Sequence, residues 1–277
     1  MPSINTNVAA IKARSNLDRV QREMDTSIAR LSSGKRITRA ADDAAGSAIA
    51  GRMESQIRGL NMSIRNAKDG QSLVDTQEGA LQEMGAMLQR IRELAVQAVN
   101  GTASNDDQDY MQLEVAQLFK EMKAVADNTR FNDTRVLTGA SFSFYSDIDV
   151  AGTAITVSAI SVRPASLGVT VAAISIGSGT TGAASVAAMI VLVDSAIGSI
   201  AAFRSHLGAV SNRFDHVIDN LTNVVANTES ARSRVEDADF AIETTQLTRN
   251  TVLQQAATAM VAQANAQKNS ILALIQG

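Results

Sequence analysis

The stretch from Gly46 to Ala98 contains no proline and carries apolar residues at steps of three and four. Met53, Ile57, Leu60, Ile64, Ala67, Val74, Leu81, Met84, Leu88, Ile91 and Ala95 make the line, and only Gln71 and Glu78 put polar side chains on it. A narrow stripe of that period belongs to a helix packed lengthwise against other helices. At the helical rise it would run about 80 Å. Gly59, Gly70, Gly79 and Gly85 lie inside it, each costing about 1 kcal/mol relative to alanine in an isolated helix. Such a helix does not stand alone, so the rest of the chain must supply partners along its length.

Composition agrees with a bundle of slender helices. Among 277 residues there is no Trp, with two Tyr and seven Phe, so small aliphatic side chains must fill the interior. Pro2 and Pro164 are the only prolines. The absence of cysteine excludes disulfides, thiolate chemistry and Cys-ligated zinc. The net charge is −3, and residues 1–60 carry ten Lys/Arg against six Asp/Glu, a balance that a solvated helix face explains. The start, Met1-Pro2-Ser3-Ile4-Asn5, has neither a basic cluster nor an apolar core, so a cleaved secretory signal is not expected.

In chain order, a first helix is expected over residues 4–31. Ile4, Val8 and Ile11, then Leu17, Val20, Met24, Ile28 and Leu31, form its seam, and Ser32-Ser33-Gly34 stops it. Thr38 to Ala45 is an irregular link. The long helix ends at Asn100-Gly101, and Ser104 or Asn105 with Asp106-Asp107 starts another, seamed by Met111, Val115, Leu118, Met122 and Val125. From about Leu137 the period changes to two. Phe142 and Phe144, Ile148 and Val150, Ile155 and Val157, Ile160 and Val162, and Val169 and Val171 alternate with small polar residues, which predicts a small hairpin-rich insert. At Val186 the helical period returns and runs through Val193, Ile200, Leu207, Phe214 and Leu221 to Val235. Its length, about 75 Å, is close to that of the first long helix and predicts an antiparallel pair.

The fold class expected is mainly α: an elongated antiparallel helical rod or coiled-coil bundle with a small β-hairpin insert. Three parts are expected: terminal helices 1–45 with 237–277, a long-helix region 46–139 with 186–236, and the insert 140–185. The two chain ends each hold a lone amphipathic helix that buries little by itself. Assembly with neighbouring copies is therefore the expected function, carried by Ile4, Val8, Ile11, Leu17, Val20, Met24 and Leu31 at one end and Leu253, Met260, Ile271 and Leu274 at the other.

Several long motifs closely resemble bacterial flagellin. They are Ser3-Ile4-Asn5-Thr6-Asn7, Leu31-Ser32-Ser33-Gly34-Lys35-Arg36-Ile37, Ala41-Asp42-Asp43-Ala44-Ala45-Gly46 and Gln89-Arg90-Ile91-Arg92-Glu93-Leu94-Ala95-Val96-Gln97. Arg130-Phe131-Asn132 and Arg232-Ser233-Arg234-Val235-Glu236-Asp237-Ala238-Asp239-Phe240 match as well, as does the Gln/Ala-rich end. The resemblance covers about residues 3–139 and 186–275. It implies an exported structural subunit that polymerises helically into the extracellular flagellar filament for swimming motility, with paired terminal helices inside and the insert outside. It implies as partners the chain itself, the flagellar export apparatus, an export chaperone, the filament cap and the host Toll-like receptor for flagellin. For that receptor it points to Arg90, Leu94 and Glu114, with Gln89 and Gln97 nearby. The uncharged surface of residues 250–270 suits the lining of a channel through which unfolded subunits pass. A hook–filament junction protein of the same family and an intracellular coiled-coil scaffold are the alternative readings.

Other motifs have plain explanations. Gly177-Ser178-Gly179-Thr180-Thr181-Gly182 is a literal GxGxxG with Asp194 downstream, but no second strand follows the long helix, so a turn is expected rather than a nucleotide site. Ala183 to Phe203 is apolar enough for a membrane span, yet Asp194 would cost about 2.5–3.5 kcal/mol there and the seam continues into charged helix, so burial in the bundle is expected instead. His206 and His216 are ten apart on one helix and cannot share a metal, and no Ser, Cys or acid is spaced to complete a site with His216. Neither enzyme activity, a cofactor, a metal nor nucleic-acid binding is expected.

Overall fold

The computed structural model describes residues 6–100, 103–145, 154–158, 161–169, 176 and 183–276, with the side chains of 183–185 and 267–276 left out. Among the described residues five helices run in the order expected: α1 Val8–Ser33, α2 Ala44–Ala98, α3 Asn105–Asn128, α4 Ala183–Glu236 and α5 Phe240–Gln276. The described residues between α3 and α4 include four short strands: β1 Arg130–Phe131, β2 Thr134–Arg135, β3 Phe142–Tyr145 and β4 Ala154–Val157. The chain packs as two compact units, residues 1–57 with 226–277 and residues 58–225. The first turns of α2 and the last of α4 thus group with the terminal helices.

In the first unit α1 is closed at both ends by its own sequence. The Asn7 side chain accepts the Ala10 N–H at 3.1 Å, and Gly34, at φ 71°, donates its N–H to the Arg30 carbonyl at 2.8 Å. A left-handed cap of this kind suits a residue without a Cβ. The chain then leaves as an extended segment that pairs with the α4–α5 corner. Lys35 and Asp237 form an antiparallel bridge, Arg36 N–H donates to the Glu236 carbonyl at 2.7 Å, and Ala238 N–H donates to Gly34 at 3.0 Å. This clasp sets α1 beside α5. Asn7 reaches Ala264, Gln21 meets Gln254 and Arg30 meets Glu243, so the two helices are antiparallel.

In the second unit α2 and α4 are antiparallel too, as expected. Rising numbers on α2 meet falling numbers on α4: Gln71 donates to Asp215 at 2.9 Å, Glu78 pairs with Arg204 at 3.3 Å, and Arg92 pairs with Asp194 at 2.6 Å. Gln71 and Glu78 therefore stand on the rim rather than in the seam, which corrects the line drawn from sequence. The buried line runs instead through Ala67, Gly70, Val74, Gln77, Leu81, Met84, Leu88, Ile91, Leu94 and Ala98. It meets Met111, Val115, Phe119, Met122 and Ala126 of α3, and Met189, Val193, Ala196, Ile200, Leu207 and Phe214 of α4.

Two features tie the strands to this core. Gln77, fully buried, donates Nε2–H to the Val136 carbonyl at 2.7 Å, which places Val136 and Leu137 inside. Phe144 of β3 meets Phe214 of α4 edge to face, 5.7 Å between centroids, over Gly70. A side chain at Gly70 would lie 2.6 Å from the Phe214 Cζ, so the glycine makes the notch. Asn132 and Asp133, at φ 47° and 61°, turn β1 into β2 as a two-residue hairpin. β3 pairs antiparallel with β4 in the register Phe142–Val157 to Tyr145–Ala154. Thr138 bridges Ser161. Ile148, Val150, Ile160 and Val171, expected in further strands, lie outside the described residues. α3 begins as expected: Ser104 and Asp107 form a reciprocal capping box, and those hydrogen bonds hold the Asp107 carboxyl below its usual range.

Candidate functional site

The α1–α5 pair is built on an unusual inner edge. On α1 the side facing α5 carries Ala10, Ala13, Leu17, Val20, Met24, Ser27 and Leu31, all buried or half-buried. On α5 the corresponding edge is Glu243, Leu247, Asn250, Gln254, Ala257, Val261 and Ala264. Polar side chains alternate there with small or aliphatic ones. Glu243 is 6 % exposed and pairs with Arg30 at 3.0 Å, while Arg30 Nε and the second Glu243 oxygen find no partner. A buried pair of this kind stabilises weakly but fixes how two helices align.

This edge divides the residues expected to carry assembly. Leu17, Val20, Met24 and Leu31 face α5 within the same chain. Val8 and Ile11 point away from it, 52 % and 59 % exposed. On α5, Leu253 and Met260 are also exposed, the latter at 63 %, along a stripe with Ile242. At 3.6 residues per turn that stripe is about a quarter turn from the inner edge. Leu253 and Met260 are thus not on the face that α5 turns to α1, because α1 is met by an edge that alternates polar side chains with Leu247, Ala257, Val261 and Ala264. Between the two faces runs an open groove of about 490 Å³ lined by Arg19, Val20, Glu23, Arg30, Arg249 and Leu253 among others. Ile4 lies outside the described residues. Ile271 and Leu274 fall within α5, their side chains outside those described.

In the second unit Arg90 stands between two carboxylates, 2.8 Å from Glu114 on α3 and 3.2 Å from Glu93. Those hydrogen bonds, Glu114 first, raise its already high pKa. Gln89 and Gln97 are exposed beside it. Leu94 is not: at 2 % exposure it belongs to the α2 core line with Ile91 and Ala98. Of the five residues expected to face the receptor, Leu94 is therefore the one turned inward within this chain. Sequence reasoning passed over Tyr110 and Leu113, which stand 69 % and 63 % exposed on α3. The signal available was their position off the Met111–Val115–Met122 seam, among Asp106, Asp109 and Glu114.

The remaining motifs resolve locally. Asp194 is bonded to Arg92, and Asp215, next to His216, accepts from Gln71. The GxGxxG run lies outside the described residues. Among the described residues no group of three or more His, Asp or Glu could hold a metal. The apolar start of α4 buries only one stripe, Met189, Val193, Ala196 and Ile200; Val191 and Leu192 face outward, so the expected burial holds for part of the segment.

Comparison with known proteins gives two family matches. Residues 4–141 match the bacterial flagellin N-terminal helical region, and residues 190–275 match the bacterial flagellin C-terminal helical region. The chain is 38 % identical to a flagellin of Halalkalibacterium halodurans over 283 residues, covering 99 % of both. It is 37 % identical to the Bacillus subtilis flagellin over 308 residues, again covering 99 % of both. Among solved structures, a Vibrio parahaemolyticus protein described as flagellar hook-associated aligns with TM-score 0.60 at 13 % identity, over 71 % of this chain and all of that one; this likeness is of fold.

Proposed function

The chain belongs to the bacterial flagellin family and is a structural subunit of the flagellar filament; on that premise we propose that the outward faces of α1 and α5 carry its polymerisation. The observation behind this is the split of the terminal seam. Val8 and Ile11 on α1 and Leu253 and Met260 on α5 remain exposed after the two helices have packed together, and apolar side chains left exposed in this way mark an interaction surface. The inner residues Leu17, Val20, Met24 and Leu31 act indirectly, by presenting α1 to neighbours in a fixed register. The role is structural throughout, with no catalytic step.

The family premise also supports finer partners. We extend the proposal to passage through the flagellar export apparatus, with an export chaperone and the filament cap as transient partners. A contact with the host Toll-like receptor for flagellin would be made by Gln89, Arg90, Gln97 and Glu114, with Leu94 supporting Arg90 from beneath. Negative-stain microscopy of purified protein, with and without filament seeds, tests the assembly role. Long filaments are expected from the full chain and soluble monomers from a chain lacking residues 1–30 and 250–277. Filaments from the truncated chain, or a small closed oligomer from both, would refute it.

A further inference from the structure

The groove between α1 and α5 is a polar surface that the apolar outward faces of those helices do not use. The helix register sets its ends: Arg30 meets Glu243 at one, and Gln254 meets Gln21 near the other. Between them the walls carry Arg19, Glu23 and Ser27 from α1, and Gln246, Arg249 and Asn250 from α5. Arg19 and Arg30 stand about 16 Å apart along α1, and Arg249 lines the opposite wall.

The walls hold polar groups that the chain leaves unmatched. Asn250 is 6 % exposed and Ser27 3 %, yet neither side chain forms a hydrogen bond among the described residues. Buried polar groups ordinarily have partners, and one left without costs about 1–3 kcal/mol. Both residues line the groove, so a bound molecule can supply what the chain does not. Arg19, Glu23 and Arg249 are exposed and form no salt bridge among the described residues. Arg30 is bonded to Glu243 through one terminal nitrogen and remains a quarter exposed.

These groups define the ligand by their chemistry. Guanidinium groups only donate, an ionised carboxylate only accepts, and a serine hydroxyl or an asparagine amide does either. Three arginines against one free carboxylate ask for an anion, and the forked N–H groups of arginine suit the oxygens of an oxyanion. Glu23 then discriminates among oxyanions. Sulfate presents acceptors alone and would be repelled by that carboxylate. Inorganic phosphate at neutral pH keeps at least one P–O–H, which can donate to Glu23 while the other oxygens accept from the arginines. The volume of about 490 Å³ leaves room for bridging water beside it.

We infer that the α1–α5 groove binds inorganic phosphate, with Arg30, Arg249 and Asn250 holding its oxygens and Glu23 accepting from its P–O–H. A phosphate in this place touches both helices and clips the terminal pair together. The site stands whichever neighbours the outward faces meet.

Full-length, unpolymerised chains are titrated with phosphate at constant ionic strength, with sulfate in a parallel series, and amide exchange is followed by mass spectrometry. Phosphate should slow exchange in α1 and α5 saturably, by about tenfold at ten times its dissociation constant, with residues 58–225 unchanged. Sulfate also strengthens burial in general, but here it should add no saturable component. Arg249→Gln and Asn250→Leu should each weaken phosphate binding at least tenfold, read independently from the phosphorus NMR linewidth of the added phosphate. Glu23 is exposed and unpaired, so Glu23→Gln leaves the packing intact; it should let sulfate bind within threefold of phosphate. Matching, non-saturating effects of the two anions on the parent would overturn the site, as would arginine and asparagine variants that bind phosphate as the parent does. An undiminished preference for phosphate in Glu23→Gln would overturn the role given to that carboxylate.

Discussion

Two glycines in α2 should respond to the same substitution with opposite sign. Gly79 is exposed, and a Cβ built there meets nothing within 4 Å. Gly79→Ala should then return the helix-propensity difference of about 1 kcal/mol as added stability. Gly70 lies nine residues earlier, where a Cβ would stand 2.6 Å and 2.9 Å from two atoms of the Phe214 ring and 3.1 Å from Phe144. Phe214 is fully buried and cannot swing aside, so the intrusion must push rings or backbone apart. Overpacking of a filled core costs about 1–3 kcal/mol, against which the same 1 kcal/mol of propensity is returned. Gly70→Ala should therefore destabilise the second unit by about 1 kcal/mol, leaving a gap of about 2 kcal/mol between the variants. For a unit of this size, residues 58–225, that gap corresponds to about 4–8 °C in Tm. Thermal unfolding followed by circular dichroism on unpolymerised full-length chains measures it. Equal stabilisation by both substitutions would refute the notch at Gly70.

Removing one half of the buried pair between the terminal helices should loosen that pair selectively. Glu243→Ala leaves Arg30 three-quarters buried without its carboxylate, at a cost of about 3 kcal/mol; faster amide exchange in α1 and α5, with residues 58–225 unchanged, is the expected readout. The start of α3 should depend on acid. Asp107 is held below its usual 3.8 by the Ser104 hydroxyl and N–H. A depressed folded pKa means its contribution is complete above the unfolded value and is lost as pH falls through the folded one. Amide exchange at the first turn of α3 should accordingly rise below about pH 4, and Asp107→Asn should flatten that response.

Much of this architecture is legible from apolar spacing, because long helices with few aromatic residues repeat one rule over many turns. The ends of α2 and α3, the capping box at Ser104 and the antiparallel pairing of α2 with α4 all follow from local signals. The α2 seam holds at Ala67, Val74, Leu81, Met84, Leu88, Ile91 and Ala95 and departs from the sequence reading only where it passes Gln71 and Glu78, for a specific reason. Gly70 and Gln77 do not look like core residues, yet each is completed by something far away in sequence: Phe214 for the notch, the Val136 carbonyl for the amide. A periodic pattern contains only the helix's own side chains. The same limit explains α5, where the edge turned to α1 is chosen by Arg30, Gln21 and Asn7, not by α5's own apolar stripe. It explains Leu94 as well, which shares a helix with Arg90 but faces the core rather than the surface.

The pairing of α1 with α5 also sets an order in time. Asn7 bonds Ala264 and Arg30 bonds Glu243, so each contact joins one end of the chain to the other. During synthesis α1 emerges well before α5 and lacks these contacts until α5 has been made. Closing a loop of over two hundred residues costs about 2 kcal/mol more than closing one of twenty, and contacts of such separation form late and slowly. The ends of a newly made chain are therefore its last part to fold, and they stay available for capture while the middle is already complete.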